Sequence, residues 1–388
     1  MKYRRRLFSS KKSYDADGTD ELFLDAVREN CLFHYKNCAE YRSILDKSDF
    51  GSDRILSDMP LNEYLAKLPF LPTLLFKRRR IFSVPPRRIM IKATSSGTSG
   101  RFSEIGFDMG ALLCGLKMVL KLGARHGLLS PIPCRYIVMG YKPHKSNRTA
   151  VTKTAFGATL FTPCVSRRYV LKFKDGKYST DFGGIIGSIE KYAKKRLPVR
   201  FMGFPAYTYF LLREMERRGI SVKLPARSMI LLGGGWKQFY AEQTDKETFY
   251  RLAEKVLGIP DKNIAEFYGA VEHPIMYCDC INHHFHIPVY SRVVIRDCDS
   301  LTPLKNGETG LVELITPMAA ATPVLSVLTD DLGVLHDGSD CGCGIASPYL
   351  EIIGRVAPDS IKTCAAGASE ILSESVGAVN DFLRRENI

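Results

Sequence analysis

Short runs rich in apolar and β-branched residues alternate with longer segments of helical periodicity along most of this sequence. The strand-like runs are residues 135–141, 199–204, 228–235 and 311–316. The helix-like segments are residues 109–127, 185–196, 207–219 and 241–258. Buried parallel strands joined by helices give this alternation. The sequence therefore predicts an α/β fold with parallel-rich sheets.

Three regions depart from the alternation. Residues 289–297 and 307–316 have the pattern of a hairpin, which predicts an antiparallel part in the second half. Residues 1–18 are basic and polar, and we expect a loose N-terminal arm there. A helix is predicted from Thr19, with Thr19 or Asp20 as its cap, through to the region of Tyr41.

No apolar run reaches the roughly 18 residues that a membrane-crossing helix needs. The longest candidate, residues 315–328, is interrupted by Pro317 and Pro323. No apolar stretch follows the basic N-terminus, so a signal peptide is not expected. The sequence predicts a cytoplasmic protein without a membrane span.

The formal net charge of +14 favours acidic partners, such as nucleotides, coenzyme A, an acidic carrier protein or nucleic acid. The basic residues lie in short scattered groups, and no aromatic-interleaved basic array is present. We therefore expect no nucleic-acid partner.

A strand-like segment leads directly into a cluster of hydroxyl residues and glycines. The cluster comprises Thr94, Ser95, Ser96, Gly97, Thr98, Ser99 and Gly100. Backbone N–H groups and hydroxyls in such a loop can converge on phosphate oxygens. The Walker pattern is absent, because no Gly-Lys-Ser/Thr follows Gly97. By itself the loop is compatible with a phosphate site or a plain linker.

Four further segments follow in a fixed order: GGGWK (233–237), EFYGAVE (266–272), LTDDLG (328–333) and IIGRVAPDSIK (352–362). Together with SSGTSG, they resemble the ordered motifs of adenylate-forming enzymes. Within that superfamily, the chain is most similar to the branch of long-chain acyl-protein synthetases and phenylacetate–CoA ligases. The resemblance implies the large α/β domain of these enzymes.

The resemblance also implies a reaction. ATP would activate a carboxylic acid, fatty or polyketide-like, as an acyl-adenylate, and the acyl group would pass to a thiol. The thiol could belong to the protein itself, to coenzyme A or to a carrier protein.

Residue roles follow from the same resemblance. The 94–100 loop would hold the β,γ-phosphates, and Glu272 would help to hold magnesium. Asp331 would accept the ribose hydroxyls, with Arg355 near the ribose and phosphate. The adenine side would be formed by Gly234, Gly235, Tyr268 and Gly269.

The sequence also departs from the family pattern. Arg101 follows the loop where a lysine is usual, and Val271 replaces the threonine before the motif glutamate. Only 33 residues follow Arg355, so we expect a curtailed C-terminal lid. The expected organisation is the arm 1–18, a large domain 19–352 and a lid remnant 353–388.

Four of the eleven cysteines form two C-x-C pairs, Cys278/Cys280 and Cys341/Cys343. The first pair is followed by His283, His284 and His286. Two short knuckles commonly supply the four ligands of a structural zinc ion. The spacing fits Cys₃His or Cys₄ and leaves the fourth ligand open. Resemblance to the phenylacetate–CoA ligase type favours Cys280, His286, Cys341 and Cys343, with Cys278 as the substitute for either of the first two.

Cys364 follows the last motif, among small residues and near Lys362. In the acyl-protein synthetases that the chain resembles, a cysteine near the C-terminus carries the acyl group as a thioester. Two alternatives stay open: an acyltransferase between coenzyme A and a carrier protein without adenylation, and a non-catalytic scaffold that binds a carrier protein.

Overall fold

The computed structural model describes residues 1–94, 103–144, 156–160, 162–174, 176–236, 239 and 242–355. Within this range the chain forms two units, residues 1–126 with 268–355, and residues 127–267. Residues 95–100 of the predicted phosphate loop lie outside the described residues, as do Arg101, Lys362 and Cys364.

The described helices are α1 (Lys2–Leu7), α2 (Asp20–Asn37), α3 (Ala39–Lys47), α4 (Ser52–Ile55), α5 (Leu61–Lys67), α6 (Thr73–Arg78), α7 (Met109–Arg125), α8 (Phe182–Ala193), α9 (Pro205–Arg217) and α10 (Lys246–Leu257). The described strands are β1 (Leu71–Pro72), β2 (Ile91–Thr94), β3 (Glu104–Phe107), β4 (Cys134–Tyr141), β5 (Cys164–Lys174), β6 (Lys177–Thr180), β7 (Val199–Gly203), β8 (Met229–Gly233), β9 (Ile264–Ala270), β10 (His273–Cys278), β11 (Phe285–His286), β12 (Arg292–Arg296), β13 (Thr309–Ile315), β14 (Ser326–His336) and β15 (Tyr349–Arg355).

The second unit has the predicted α/β architecture. The strands of this unit pair in the order β9-β8-β7-β4-β5-β6, and each of these neighbouring pairs is parallel except β5 and β6. Helices α8, α9 and α10 contribute buried faces to the core of this unit. Crossover helices of this kind are needed because parallel strands cannot be joined by tight turns.

The first unit contains the predicted antiparallel part. Its main sheet has the order β11-β15-β14-β13-β12, all antiparallel, and β1 joins β14 in parallel. The expected hairpin is confirmed, since β12 pairs with β13 from Arg292 opposite Ile315 to Arg296 opposite Leu311. A separate antiparallel pair, β2 with β3, flanks the phosphate loop.

The expectation of a loose N-terminal arm is wrong. Residues 2–7 form α1, and Leu7 and Phe8 are completely buried in the core of the first unit. Arg4 is also buried, and its guanidinium forms an ion pair with Asp108 at 3.1 Å. Burial of Leu7 and Phe8 and the ion pair of Arg4 therefore hold the N-terminal segment against the first unit, although its composition is polar overall.

The predicted N-terminal helix is divided in two. It ends at Asn37, because Cys38 has an extended backbone with φ −132° and ψ 109°. The Cys38 thiol sulfur then accepts a hydrogen bond from the Tyr41 N–H at 3.5 Å and caps α3. The helix predicted from residue 241 begins at Lys246, where the Asp245 carboxylate accepts from the Thr248 N–H at 2.8 Å.

Among the described residues, none of the helices combines the length and the hydropathy that a bilayer crossing requires.

Candidate active site and cysteine–histidine cluster

Three residues from separate motifs come together in the first unit. Asp331 on β14 is buried, and Tyr268 at the end of β9 donates its phenolic O–H to Asp331 Oδ2 at 3.0 Å. Arg355 is the partner of Asp331 across the β14–β15 ladder. The fold therefore assembles an acidic acceptor, an aromatic ring and a basic position that lie far apart in the sequence.

Glu272 lies in the turn between β9 and β10, and only 4% of it is exposed. Its carboxylate forms neither a hydrogen bond nor an ion pair with any described residue. Burial of an uncompensated carboxylate is costly unless a cation or a proton neutralises it. The role of Glu272 in holding magnesium stays a prediction.

His273, the neighbour of Glu272, belongs to the core. It is completely buried, and its Nε2 lies 3.0 Å from the Tyr277 hydroxyl and 3.1 Å from Ser291 Oγ. Burial lowers the pKa of His273 to about 3, so the ring is neutral at physiological pH. The side chain is held by its partners away from solvent.

Backbone geometry favours glycine over residues with a side chain at the three glycines predicted for the adenine side. Gly234 and Gly235, in the loop after β8, have φ values of 89° and 66°. This left-handed region costs an L-residue with a side chain about 1 kcal/mol or more. At Gly269 on β9, a Cβ atom would lie 3.0 Å from the Ile275 carbonyl oxygen.

The predicted phosphate loop lies, along the sequence, between two strands that pair with each other. Thr94 ends β2 and lies opposite Glu104 on β3. The strand predicted before the loop is present, although Ile91 at its start is 48% exposed. Thr94 is thereby placed at the last paired position before the loop.

Four residues converge at a second place in the first unit: Cys280, His286, Cys341 and Cys343. Their ligand atoms all lie within 4.8 Å of one another. Cys280 Sγ is 3.5 Å from Cys341 Sγ, and Cys343 Sγ is 3.2 Å from His286 Nε2. These are the four residues that the sequence favoured as ligands.

The surroundings of the cluster orient its members. His286 Nδ1 donates to the Ser347 carbonyl oxygen at 2.7 Å, which leaves Nε2 free to face the thiols. Gly342 and Gly344 have φ values of 71° and 84°, which lets the chain fold back between and beyond the two later cysteines. The Asn282 amide donates to the Cys341 carbonyl oxygen at 2.6 Å.

The thiols differ in acidity. Burial opposes ionisation of Cys280, but hydrogen bonds from His286, the His284 backbone and the Asn282 N–H bring its pKa below the usual value. Burial, and then hydrogen bonds with Cys280 and Cys343, raise the pKa of Cys341 to about 12. The Cys280 thiol is therefore more acidic than the Cys341 thiol.

Cys278 does not join the cluster. It is completely buried at the end of β10, and burial raises its thiol pKa well above the usual value. His283 points to Asp279 instead, with Nδ1 2.8 Å from Oδ2. His284 stacks on Tyr349 with ring centroids 4.3 Å apart, although its Nδ1 is 3.1 Å from Cys341 Sγ. Sequence reasoning missed Asn282 and Ser347, because an amide and a backbone carbonyl carry no motif.

The sequence model of the family "Acyl-protein synthetase, LuxE" matches residues 7–373. The chain belongs to this family. Acyl-protein synthetases are ligases, and the predicted enzyme class, an adenylate-forming acid–thiol ligase, is confirmed at the level of the family.

Two curated relatives are similar along most of their length. The long-chain-fatty-acid–luciferin-component ligase of Aliivibrio fischeri is 24% identical over 364 residues, which covers 90% of this chain and 88% of that protein. The protein of the same name from Vibrio harveyi is 22% identical over 348 residues, covering 87% and 85%.

Solved structures confirm the predicted fold. A crystal structure of 2-hydroxyisobutyryl-CoA ligase in the postadenylation state, in complex with 2-HIB-AMP, has a TM-score of 0.64 at 15% identity. The match covers 89% of this chain and 69% of the ligase chain. An open conformation of that ligase, in complex with 2-HIB-AMP and CoA, also has a TM-score of 0.64, at 14% identity. The match covers 89% of this chain and 76% of the ligase chain.

The Tyr268–Asp331 hydrogen bond can be tested by stability. Tyr268→Phe should lower the free energy of unfolding by about 1–2 kcal/mol, because it removes a donor to a buried carboxylate. Denaturant titration measures this change. Combination with Asp331→Asn should be less than additive, since the two side chains are in contact.

Tyr207→Phe is a matched control, because the buried Tyr207 hydroxyl has no hydrogen-bond partner among the described residues. It should leave the free energy of unfolding unchanged or raise it slightly. Equal losses for both tyrosine variants would show that the contact with Asp331 contributes nothing.

Proposed function

We propose that this protein uses ATP to activate a carboxylic acid, of a fatty or polyketide-like kind, as an acyl-adenylate and then transfers the acyl group to a thiol. The observation that carries the proposal is the grouping of Tyr268, Asp331 and Arg355, three motif residues that β9, β14 and β15 bring to one place. The names of the curated relatives, which specify long-chain fatty acids, support the fatty alternative.

The proposed residue roles follow the motif positions. The Asp331 carboxylate accepts hydrogen bonds from both ribose hydroxyls, and the Tyr268 donor keeps it oriented. Arg355 lies near the ribose and the α-phosphate. The loop from Thr94 to Gly100 binds the β,γ-phosphates through backbone N–H groups and hydroxyls.

The acid attacks the α-phosphate of ATP through a carboxylate oxygen, and pyrophosphate leaves. The product is a mixed anhydride whose carbonyl carbon a thiol can attack, with AMP as the leaving group. Magnesium supplies neutralisation of the phosphate charge when it is bound. Glu272 fits as a ligand because its buried carboxylate has no partner among the described residues.

We further propose that the acceptor thiol is Cys364, with coenzyme A or an acidic acyl carrier protein as the next acceptor. Lys362, two residues away, favours the thiolate form that acts as the nucleophile. The chain's charge of +14 favours both of these acidic acceptors.

Pyrophosphate exchange tests the adenylation step. The protein should incorporate labelled pyrophosphate into ATP only when a suitable acid is added, and a panel of acids of increasing chain length identifies the preferred one. Gly97→Val should abolish exchange and weaken ATP binding, because a branched side chain blocks close approach of the loop backbone to phosphate.

Gly187→Val provides the comparison, because Gly187 on α8 has open space around it and ordinary helical geometry. It should retain exchange. Acyl transfer from acyl-CoA to a carrier protein without acid-dependent exchange would favour the acyltransferase alternative. Loss of both activities with carrier binding retained would favour the scaffold.

The acceptor can be located by labelling. A labelled acid with ATP should leave a hydroxylamine-sensitive adduct that peptide mapping places on Cys364. Cys364→Ala should lose the adduct and retain pyrophosphate exchange, because adenylation precedes transfer. Transfer to an external thiol at the full rate by this variant would exclude a relay through Cys364.

We also propose that Cys280, His286, Cys341 and Cys343 bind one structural zinc ion. Three sulfur donors and one imidazole nitrogen suit zinc, and protein ligands would fill all four tetrahedral positions. The Ser347 hydrogen bond that fixes the His286 tautomer is typical of a metal-binding histidine.

Metal analysis tests the zinc assignment. Protein purified without added zinc should contain about one equivalent per chain. Cys341→Ser should lose the metal and unfold at a lower temperature, whereas Cys278→Ala, outside the cluster, should keep it. Metal retained by Cys341→Ser, or lost by Cys278→Ala, would contradict the proposed ligand set.

A further inference from the structure

An unusually basic stretch runs from Leu74 to Lys92. Seven of its residues are Lys or Arg and none is Asp or Glu: Lys77, Arg78, Arg79, Arg80, Arg87, Arg88 and Lys92. The stretch begins in α6, passes through the 3₁₀ turn Pro86–Arg88 and enters β2. The proposed ligase reaction uses none of these basic side chains.

Five arginines of the stretch are exposed and unpaired: Arg78, Arg79, Arg80, Arg87 and Arg88. Their side chains form no ion pair and no hydrogen bond with the described part of the chain. By contrast, Arg217 and Arg218 on the surface of the second unit both bind Glu214. These five arginines lie within eleven residues of the chain and have no acidic partner among the described residues, so the stretch has a positive field that attracts anions.

Large apolar side chains are exposed within the same stretch. Leu74 on α6 is 46% exposed, Met90 is 49% exposed and Ile91 on β2 is 48% exposed. Single exposed apolar residues are common, but these three lie in the same stretch as five unpaired arginines. Lys92, at the end of the stretch, forms an ion pair with Glu104 at 2.9 Å. We call Leu74, Arg78–Arg80, Arg87, Arg88 and Met90–Ile91 the basic–apolar surface.

The backbone beneath this surface is fixed. Helix α6 packs against β3, and β2 is hydrogen-bonded to β3. The Met90 N–H donates to the Phe107 carbonyl oxygen at 2.9 Å, and the Ser83 N–H donates to the Ala321 carbonyl oxygen at 2.8 Å. The basic–apolar surface is thus presented by ordered elements of the first unit.

We propose that the basic–apolar surface docks the protein on membranes that contain anionic phospholipids. Arginine guanidinium groups bind lipid phosphates, and exposed aliphatic side chains enter the region between headgroups and acyl chains. Aliphatic rather than aromatic exposed residues favour lipid over single-stranded nucleic acid, whose bases stack on aromatic rings. The inference is independent of the ligase reaction, because it involves neither ATP nor the acid.

Vesicle co-sedimentation at low salt tests the proposal. The full-length protein should bind vesicles of phosphatidylcholine and phosphatidylglycerol but not vesicles of phosphatidylcholine alone, and added salt should weaken binding. Arg78→Ser/Arg79→Ser/Arg80→Ser should lower the partition coefficient at least about tenfold, since each basic residue near an anionic membrane contributes favourably. Leu74→Ser/Met90→Ser should lower it without changing the charge.

Lys194→Ser/Lys195→Ser/Arg196→Ser is the matched control, because it removes three exposed charges from the second unit. This variant should bind vesicles like the wild type, and all variants should keep the wild-type unfolding temperature. Absence of wild-type binding, or an equal loss in the control, would overturn the proposal. Unchanged vesicle binding by Leu74→Ser/Met90→Ser, with displacement by polyglutamate, would overturn lipid docking in favour of an acidic protein partner.

Discussion

The β14–β15 ladder is the constraint on which both candidate sites of the first unit depend. At one end it sets Asp331 opposite Arg355, and at the other it sets His336 opposite Tyr349. The loop between these strands carries Cys341 and Cys343, and β11, which carries His286, pairs with the start of β15. Contacts among Cys280, His286, Cys341 and Cys343 would therefore help to hold β14 and β15 in register.

Register matters here because side chains alternate between the faces of a sheet. A slip by one residue would remove Arg355 from its pairing position opposite Asp331. Gly333 contributes to the same fit, since a Cβ atom there would lie 2.6 Å from the Glu351 carbonyl oxygen.

The buried acids of the first unit show why Glu272 is distinctive. Asp108 is paired with Arg4, and the fully buried Glu313 is paired with Arg296 and accepts from Ser326 Oγ at 2.6 Å. Burial raises the pKa of Glu313, while Arg296 opposes that shift. Glu272, also buried, has no such partner among the described residues.

The sequence by itself determined the helix–strand alternation, the order of the motifs and the residue types of both sites, because these depend on local pattern and spacing. It did not reveal that Leu7 and Phe8 anchor the N-terminus or that Cys38 divides the first helix, since burial and capping depend on distant neighbours. The spacing of the cysteines left Cys278 and Cys280 open, the family resemblance favoured Cys280, and the tertiary structure places Cys280 in the cluster. Cys278 ends β10 in the core, whereas Cys280 meets Cys341 through long-range pairing of β11 with β15. Pairing of β14 with β15 placed Asp331 opposite Arg355, because register is fixed by the whole sheet and not by any one segment. Tyr268 reaches Asp331 through a side-chain hydrogen bond from β9, a strand of the other sheet.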